Sequence, residues 1–110
     1  GGGGGGMLNR VFLEGEIESS CWSVKKTGFL VTIKQMRFFG ERLFTDYYVI
    51  YANGQLAYEL EKHTKKYKTI SIEGILRTYL ERKSEIWKTT IEIVKIFNPK
   101  NEIVIDYKEI

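Results

Sequence analysis

Between Thr45 and Tyr79 the chain shows strand, short turn, one amphipathic helix and a second strand, and this succession restricts the fold more than any other feature. Tyr47 to Tyr51 is an unbroken run of β-branched and aromatic residues, which predicts a strand buried on both faces. Asn53-Gly54 breaks that run. Asn53 is placed to cap a helix, because its side chain can accept from a helix-start N–H. Leu56, Leu60, His63 and Tyr67 then recur at the spacing of one helix face. Lys62, Lys65, Lys66 and Lys68 crowd the end of the helix, where cations favour its exposed carbonyls. Ile70 and Ile72 alternate with Ser71 and Glu73, as a half-buried strand does.

The flanking sequence is sheet-like throughout. Over residues 9–16, Val11 and Leu13 share one face, while Arg10, Phe12 and Glu14 share the other, and Gly15 is expected to mark a bulge or bend. Residues 18–27, around Cys21-Trp22, read as a continuing strand or short hairpin arm. From Gly28, the residues Phe29, Val31 and Ile33 are expected to face the core, with Leu30, Thr32 and Lys34 opposite. Residues 36–44 centre on Gly40 and are expected to form the hairpin loop between strands two and three. Residues 80–88, charged at the tip, should form the hairpin joining strands four and five, and residues 89–94 the fifth strand. Asn98-Pro99-Lys100-Asn101 is a turn signal, and the alternation over 102–107 predicts an extra C-terminal hairpin or edge strand. Residues 1–6, all glycine, read as a tag remnant or tail outside the fold, and 7–110 as a single domain. One helix between the third and fourth of five strands gives the fold class: all-β with one helix, an OB-fold five-stranded Greek-key barrel.

Chemistry is narrowed mainly by exclusion. One Cys and one His cannot make a structural zinc set, and neither GxxxxGK[ST] nor GxGxxG occurs. Carboxylates are scattered, and His63 lies on the apolar side of the helix, which suits a packed, hydrogen-bonded histidine. No catalytic residue, metal or cofactor is expected, and an enzyme is not. Cys21 has no partner for a disulfide, which suits a reducing interior, and no apolar run approaches the roughly 20 residues that span a bilayer. A cytoplasmic protein with no membrane partner is expected. Its 17 Lys and Arg against 14 Asp and Glu leave a net charge of +3, which permits phosphate binding without demanding it. What remains is a binding module with aromatics and cations interleaved on strands and hairpins. Such surfaces hold single strands, because every base offers a π-face while Lys and Arg track the phosphates.

Four motifs in order carry a resemblance. They are Leu8-Asn9-Arg10-Val11-Phe12-Leu13-Glu14-Gly15, Phe29-Leu30-Val31-Thr32-Ile33, Asn53-Gly54-Gln55-Leu56-Ala57, and Ile72-Glu73-Gly74-Ile75-Leu76-Arg77-Thr78. At this spacing the chain resembles the bacterial single-stranded DNA-binding protein (SSB) family, from about Asn9 to about Val94. The resemblance implies sequence-tolerant binding of single-stranded DNA in replication, repair or recombination. Tyr47 occupies the place of a stacking Trp that the family often has in strand three, and Phe38 falls near an aromatic of its second hairpin. Phe39 is a further exposed aromatic at that hairpin, either for stacking or for a subunit interface. Arg77 matches a backbone-contact position, with Lys34 and Arg37 as further phosphate contacts. Tyr79 and Trp87 stand in for a Trp of the fourth strand, where this chain has Glu81. The family also implies self-association as a homotetramer or, as in the primosomal replication protein PriB, a homodimer, with replication or repair proteins as partners. The chain ends Asp106-Tyr107-Lys108-Glu109-Ile110 without the family's acidic tip, as expected of a truncated SSB or a tail-less relative. The alternative is an OB-fold protein-interaction subunit of a replication or primosome complex with little nucleic-acid binding, suggested by Asn53 and Glu81 at places where relatives carry aromatics.

Overall fold

The computed structural model describes residues 7–98. The elements in order are β1 (Val11–Trp22), β2 (Gly28–Phe39), β3 (Arg42–Asn53), α1 (Gly54–Lys66), β4 (Thr69–Glu81) and β5 (Ile86–Ile96). The strands close into a barrel in the order β1-β2-β3-β5-β4, with the helix between the third and fourth strands, as an OB fold requires. The expected turn and added hairpin beyond Asn98 lie outside the described residues, as do the leading glycines.

Alternation decides which residues enter the core. Phe29, Val31 and Ile33 of β2 point inward as expected, together with Ile50 and Ala52 of β3, Ile70 and Ile72 of β4, and Ile91 and Ile93 of β5. The largest fully buried side chains are Ile33, Ile50, Leu60, Ile70, Ile72 and Val31. β3 is not buried on both faces. Tyr48 and Ile50 turn toward the core while Tyr47 and Val49 remain exposed, so the aromatic run is a one-sided strand whose second face is open.

β1 serves two neighbours. Val11 to Glu16 pairs with β4, and Glu16 to Trp22 pairs with β2. The bulge falls after Ile17, where Glu18 has no opposite number, and not at Gly15. Gly15 is glycine for another reason, since a Cβ there would lie 2.8 Å from the Lys34 carbonyl oxygen where β2 crosses close by. Ile50 and Tyr51 of β3 pair in parallel with Ile91 and Glu92 of β5, and this contact closes the barrel. Gly74 lets it close tightly: a Cβ there would meet the Glu92 carbonyl at 2.6 Å.

The expected loop over 36–44 is instead continuous sheet. β2 and β3 stay in register from Gly28↔Asn53 to Phe39↔Arg42. Only Gly40 and Glu41 turn the chain. Gly40 has φ 68°, the positive value that a primed two-residue turn needs at its first central residue. The β4–β5 hairpin pairs as far as Glu81↔Ile86, leaving the charged tip that the sequence predicts. Two ribbons therefore project from the barrel, one from β2–β3 and one from β4–β5.

α1 packs on β2 and β3 with Ala57, Leu60 and His63 buried. Asn53 is the N-cap by position, but its side chain makes no capping hydrogen bond. Trp22 ties barrel to helix: its ring lies 5.1 Å from those of Phe29 and Tyr58, and its Nε1–H donates to Glu61 at 3.2 Å. His63 is 9% exposed and packs as expected, its Nε2–H donating to the Thr69 carbonyl at 2.9 Å. Burial, reinforced by Lys66, holds its pKa below the ordinary 6.5, against the raising effect of the Thr69 hydrogen bond.

Two outcomes follow for stability. Leu60→Ala should cost about 2–5 kcal/mol in denaturant unfolding, because it empties a site under the helix. Between the lowered folded pKa of His63 and 6.5, the unfolded chain binds more protons than the folded one, so stability rises with pH. The His63 contribution is complete above that range and is lost as pH falls through it. His63→Gln should flatten the difference in denaturation midpoint between about pH 7.5 and about pH 5, and an unchanged difference would show that His63 is not its source.

Candidate nucleic-acid interface

The outward face of β2 and β3 carries a row of large side chains because the pairing register fixes which residues stand side by side. Lys34 lies opposite Tyr47, Thr32 opposite Val49, Leu30 opposite Tyr51, and Phe38 opposite Leu43. Residues two apart on a strand share a face, so Phe38, Lys34, Tyr47 and Tyr51 all look outward. The β4–β5 pairing adds Arg77 opposite Thr90 and Tyr79 opposite Lys88, and the parallel pair sets Glu92 beside Tyr51. An open groove of about 960 Å³ results, with Leu30, Val49, Tyr51, Leu76, Arg77 and Tyr79 among its lining. Phe38 is 71% exposed, Tyr47 59% and Tyr79 50%, so their rings are available to a ligand. A second hollow of about 670 Å³ runs along β1 and β4 past Phe12, His63 and Phe97, and holds none of the expected site residues.

The expected residues thus divide. The structure brings Phe38, Lys34, Tyr47, Arg77 and Tyr79 to one outward surface. Arg37 and Phe39 fall on the opposite face of the β2–β3 ribbon, because neighbours on a strand point apart. There Arg37 and Arg42 lie over the Phe44 ring at 5.1 and 5.7 Å. Trp87 is paired with Leu80, on the face of the β4–β5 ribbon opposite to Tyr79. Tyr51 and Asn9 belong to the groove, although the motifs did not single them out for it. Parity with Tyr47 was the available signal for Tyr51. Asn9 clamps the exposed edge of β4: its side chain donates to the Leu76 carbonyl at 3.1 Å and accepts from the Leu76 N–H at 2.8 Å.

Each expected cation is held by carboxylates. Lys34 Nζ lies 3.4 Å from Glu18 and 3.7 Å from Glu16, and the Glu18 hydrogen bond raises its pKa. Arg77 Nε donates to Glu92 at 2.9 Å, and its pKa is raised by the hydrogen bond to Tyr51 and then by the Glu92 charge. Arg37 Nε donates to Asp46 at 2.7 Å, which likewise raises its pKa. Lys88, beside Tyr79, lies 3.6 Å from Glu81. Glu81 is held below the usual carboxylate range by the Ser84 hydroxyl and then by Lys88.

A family model described as protein of unknown function (DUF3217) matches residues 7–110. Among solved structures the chain is similar to a small single-stranded DNA binding protein from Mycoplasma pneumoniae, at 94% identity and a TM-score of 0.78. That match covers 87% of this chain and 99% of the other. The chain belongs to the DUF3217 family, SSB-like proteins of the OB fold. It is also 74% identical over 103 residues to the uncharacterized protein MG376 of Mycoplasma genitalium, covering 94% of this chain and 99% of that one. Two remote structures show the fold alone. One is the single-stranded DNA binding protein of Thermus aquaticus, at 16% identity and TM-score 0.62, over 84% of this chain and 52% of that one. The other is the Plasmodium falciparum SSB in complex with ssDNA, at 18% identity and TM-score 0.54, over 79% of this chain and 85% of that one.

The two tryptophans report on different places. Trp87 is 66% exposed, whereas Trp22 is half-buried against Phe29, Tyr58 and Glu61. Acrylamide should therefore quench Trp87 strongly and Trp22 weakly. Trp87→Phe should remove most of the quenchable emission, and equal quenching in the variant would contradict the placement of Trp22.

Proposed function

We propose that the chain binds single-stranded DNA without sequence readout, by stacking bases on the outward aromatics of β2, β3 and β4. The observation that carries this reading is the row of exposed rings, Phe38, Tyr47 and Tyr79, beside the groove that holds Arg77. Stacking contributes about 1–3 kcal/mol per base and accepts any base, so a few rings supply affinity without a hydrogen-bond code. The relative at 94% identity, a small single-stranded DNA binding protein, supports the same assignment. Arg37 and Phe39 meet the strand only if it passes around the edge of the β2–β3 ribbon, and Trp87 only if it passes around the β4–β5 ribbon.

The reading extends to self-association, to replication or repair proteins as partners and to the cytoplasm as the place of action. Phe12, exposed on β1 away from the groove, is the apolar side chain that this reading assigns to contact with a second copy. Among the described residues no helix is long and apolar enough to cross a membrane.

Anisotropy of a labelled oligothymidine, measured at several salt concentrations, tests the assignment. Tyr47→Ala should weaken binding by about 1–3 kcal/mol for each base unstacked while leaving the salt slope nearly unchanged. Arg77→Ala should weaken binding to every sequence alike and lower the slope by at most about 0.7, the value for one phosphate on a single strand. Undiminished affinity in both variants would place the strand on another face of the barrel.

A further inference from the structure

The groove has an electrostatic property that stacking does not require. On its outward face and the adjoining ribbon, the three cations Lys34, Arg77 and Lys88 meet four carboxylates, Glu16, Glu18, Glu92 and Glu81. The chain as a whole carries +3, so its basic excess lies elsewhere, in places such as Lys25-Lys26 and the end of α1. A surface evolved to hold phosphates by charge alone would leave these cations open.

We infer that Glu18 and Glu92 act as built-in competitors of phosphate, so that strand binding exchanges internal ion pairs for phosphate contacts. The inference rests on the single-strand reading above and adds a regulating residue to each cation. Two observations favour exchange over a positioning role. Lys34 is a point charge on a flexible stem and needs no carboxylate to orient it, yet it has two. Glu92 meets Arg77 at Nε, at 2.9 Å, and the terminal nitrogens of the guanidinium fork remain to meet a phosphate as that pair opens. In each pair one partner is largely exposed, Glu18 at 46% and Arg77 at 56%, so the pairs are open to screening by salt and to displacement as bases stack.

Exchange has a thermodynamic signature. When a phosphate releases its counterion to meet Arg77, the freed Glu92 takes up a cation from solution, and the two nearly cancel. The wild-type salt slope is then smaller than the number of cations in the groove implies. Removing the carboxylate charge restores the missing slope, by about 0.7 for each phosphate on a single strand. At about 0.1 M salt that slope corresponds to roughly fivefold tighter binding per cation freed. Duplex DNA, whose bases are already stacked on each other, has no base to offer the rings, so at this surface only the phosphate term could attract it.

The test uses the full chain with oligothymidine and a duplex of matched length, at four salt concentrations, for wild type, Glu92→Gln, Glu18→Gln and the double variant. Glu59→Gln, an exposed helix position outside the groove, makes the same charge change and serves as the control. Glu92→Gln should bind oligothymidine about fivefold tighter at about 0.1 M salt, with a slope steeper by about 0.7, and Glu18→Gln, which leaves Lys34 its pair with Glu16, should shift the same way by less. The double variant should hold the duplex at low salt where wild type does not, and Glu59→Gln should do none of this. Unchanged or weakened binding in both groove variants, with melting temperatures intact, would overturn the inference, as would an equal gain in Glu59→Gln. A wild type that binds oligothymidine while the variants gain nothing removes only this inference. A wild type that does not bind oligothymidine at all removes the single-strand reading and this inference with it.

Discussion

The rest of the molecule depends on one short parallel contact, Ile50 and Tyr51 of β3 with Ile91 and Glu92 of β5. Without it the five strands are an open sheet with two unpaired edges. With it, Ile50 and Ile91 meet inside as core, while Tyr51 and Glu92 meet outside as groove. Because strand side chains alternate, one register serves both purposes at once. A slip of one residue would send Ile91 to solvent and Glu92 into the core. Gly74 guards the register from the far side of β5, since any side chain there would strike the Glu92 carbonyl.

From that closure the two ribbons take their directions. β2–β3 and β4–β5 are paired well beyond the barrel rim, so their outer halves expose side chains on both faces. This is why so many large apolar residues, Phe38, Phe39, Leu43, Leu80, Ile86 and Trp87 among them, stay accessible in a small domain. Their exposure has no value for stability. Under the proposed function, the outward rings among them are matched to a ligand with flat apolar faces and a charged backbone, which is what a single strand presents. Under the same proposal the paired carboxylates weight recognition toward the bases, with the phosphates a secondary attraction.

Much of this was legible in the sequence, and the failures have specific causes. The core of β2 was readable because Phe29, Val31 and Ile33 alternate cleanly with smaller or polar neighbours. The helix was readable from its spacing, although Ala57, too small to register as an apolar signal, shares the burial of Leu60 and His63. The sequence of β3 does not reveal its open face, because an aromatic is equally at home in a core and on a stacking surface, and periodicity cannot tell Tyr47 from Tyr48. Residues 36–44 are sheet and not loop because a primed turn needs only Gly40 and its neighbour. The same continuity sets Phe38 and Phe39 on opposite faces, which a loop does not specify. The carboxylate partners were not legible at all. Arg77 and Glu92 meet because of strand register, and no local pattern joins them.

In the proposed placement the strand lies across the outward face of β2, β3 and β4 and not along the helix or the β1–β4 hollow. Amide chemical-shift mapping of the isotope-labelled protein during titration with oligothymidine tests it directly. Shifts should concentrate at Lys34, Tyr47, Tyr51, Arg77 and Tyr79, while Tyr58 and Lys62 on α1 and Phe12 and Ser71 by the hollow stay still. Shifts concentrated on α1 or around Phe12, with the β3 amides unmoved, would contradict the placement of the binding face.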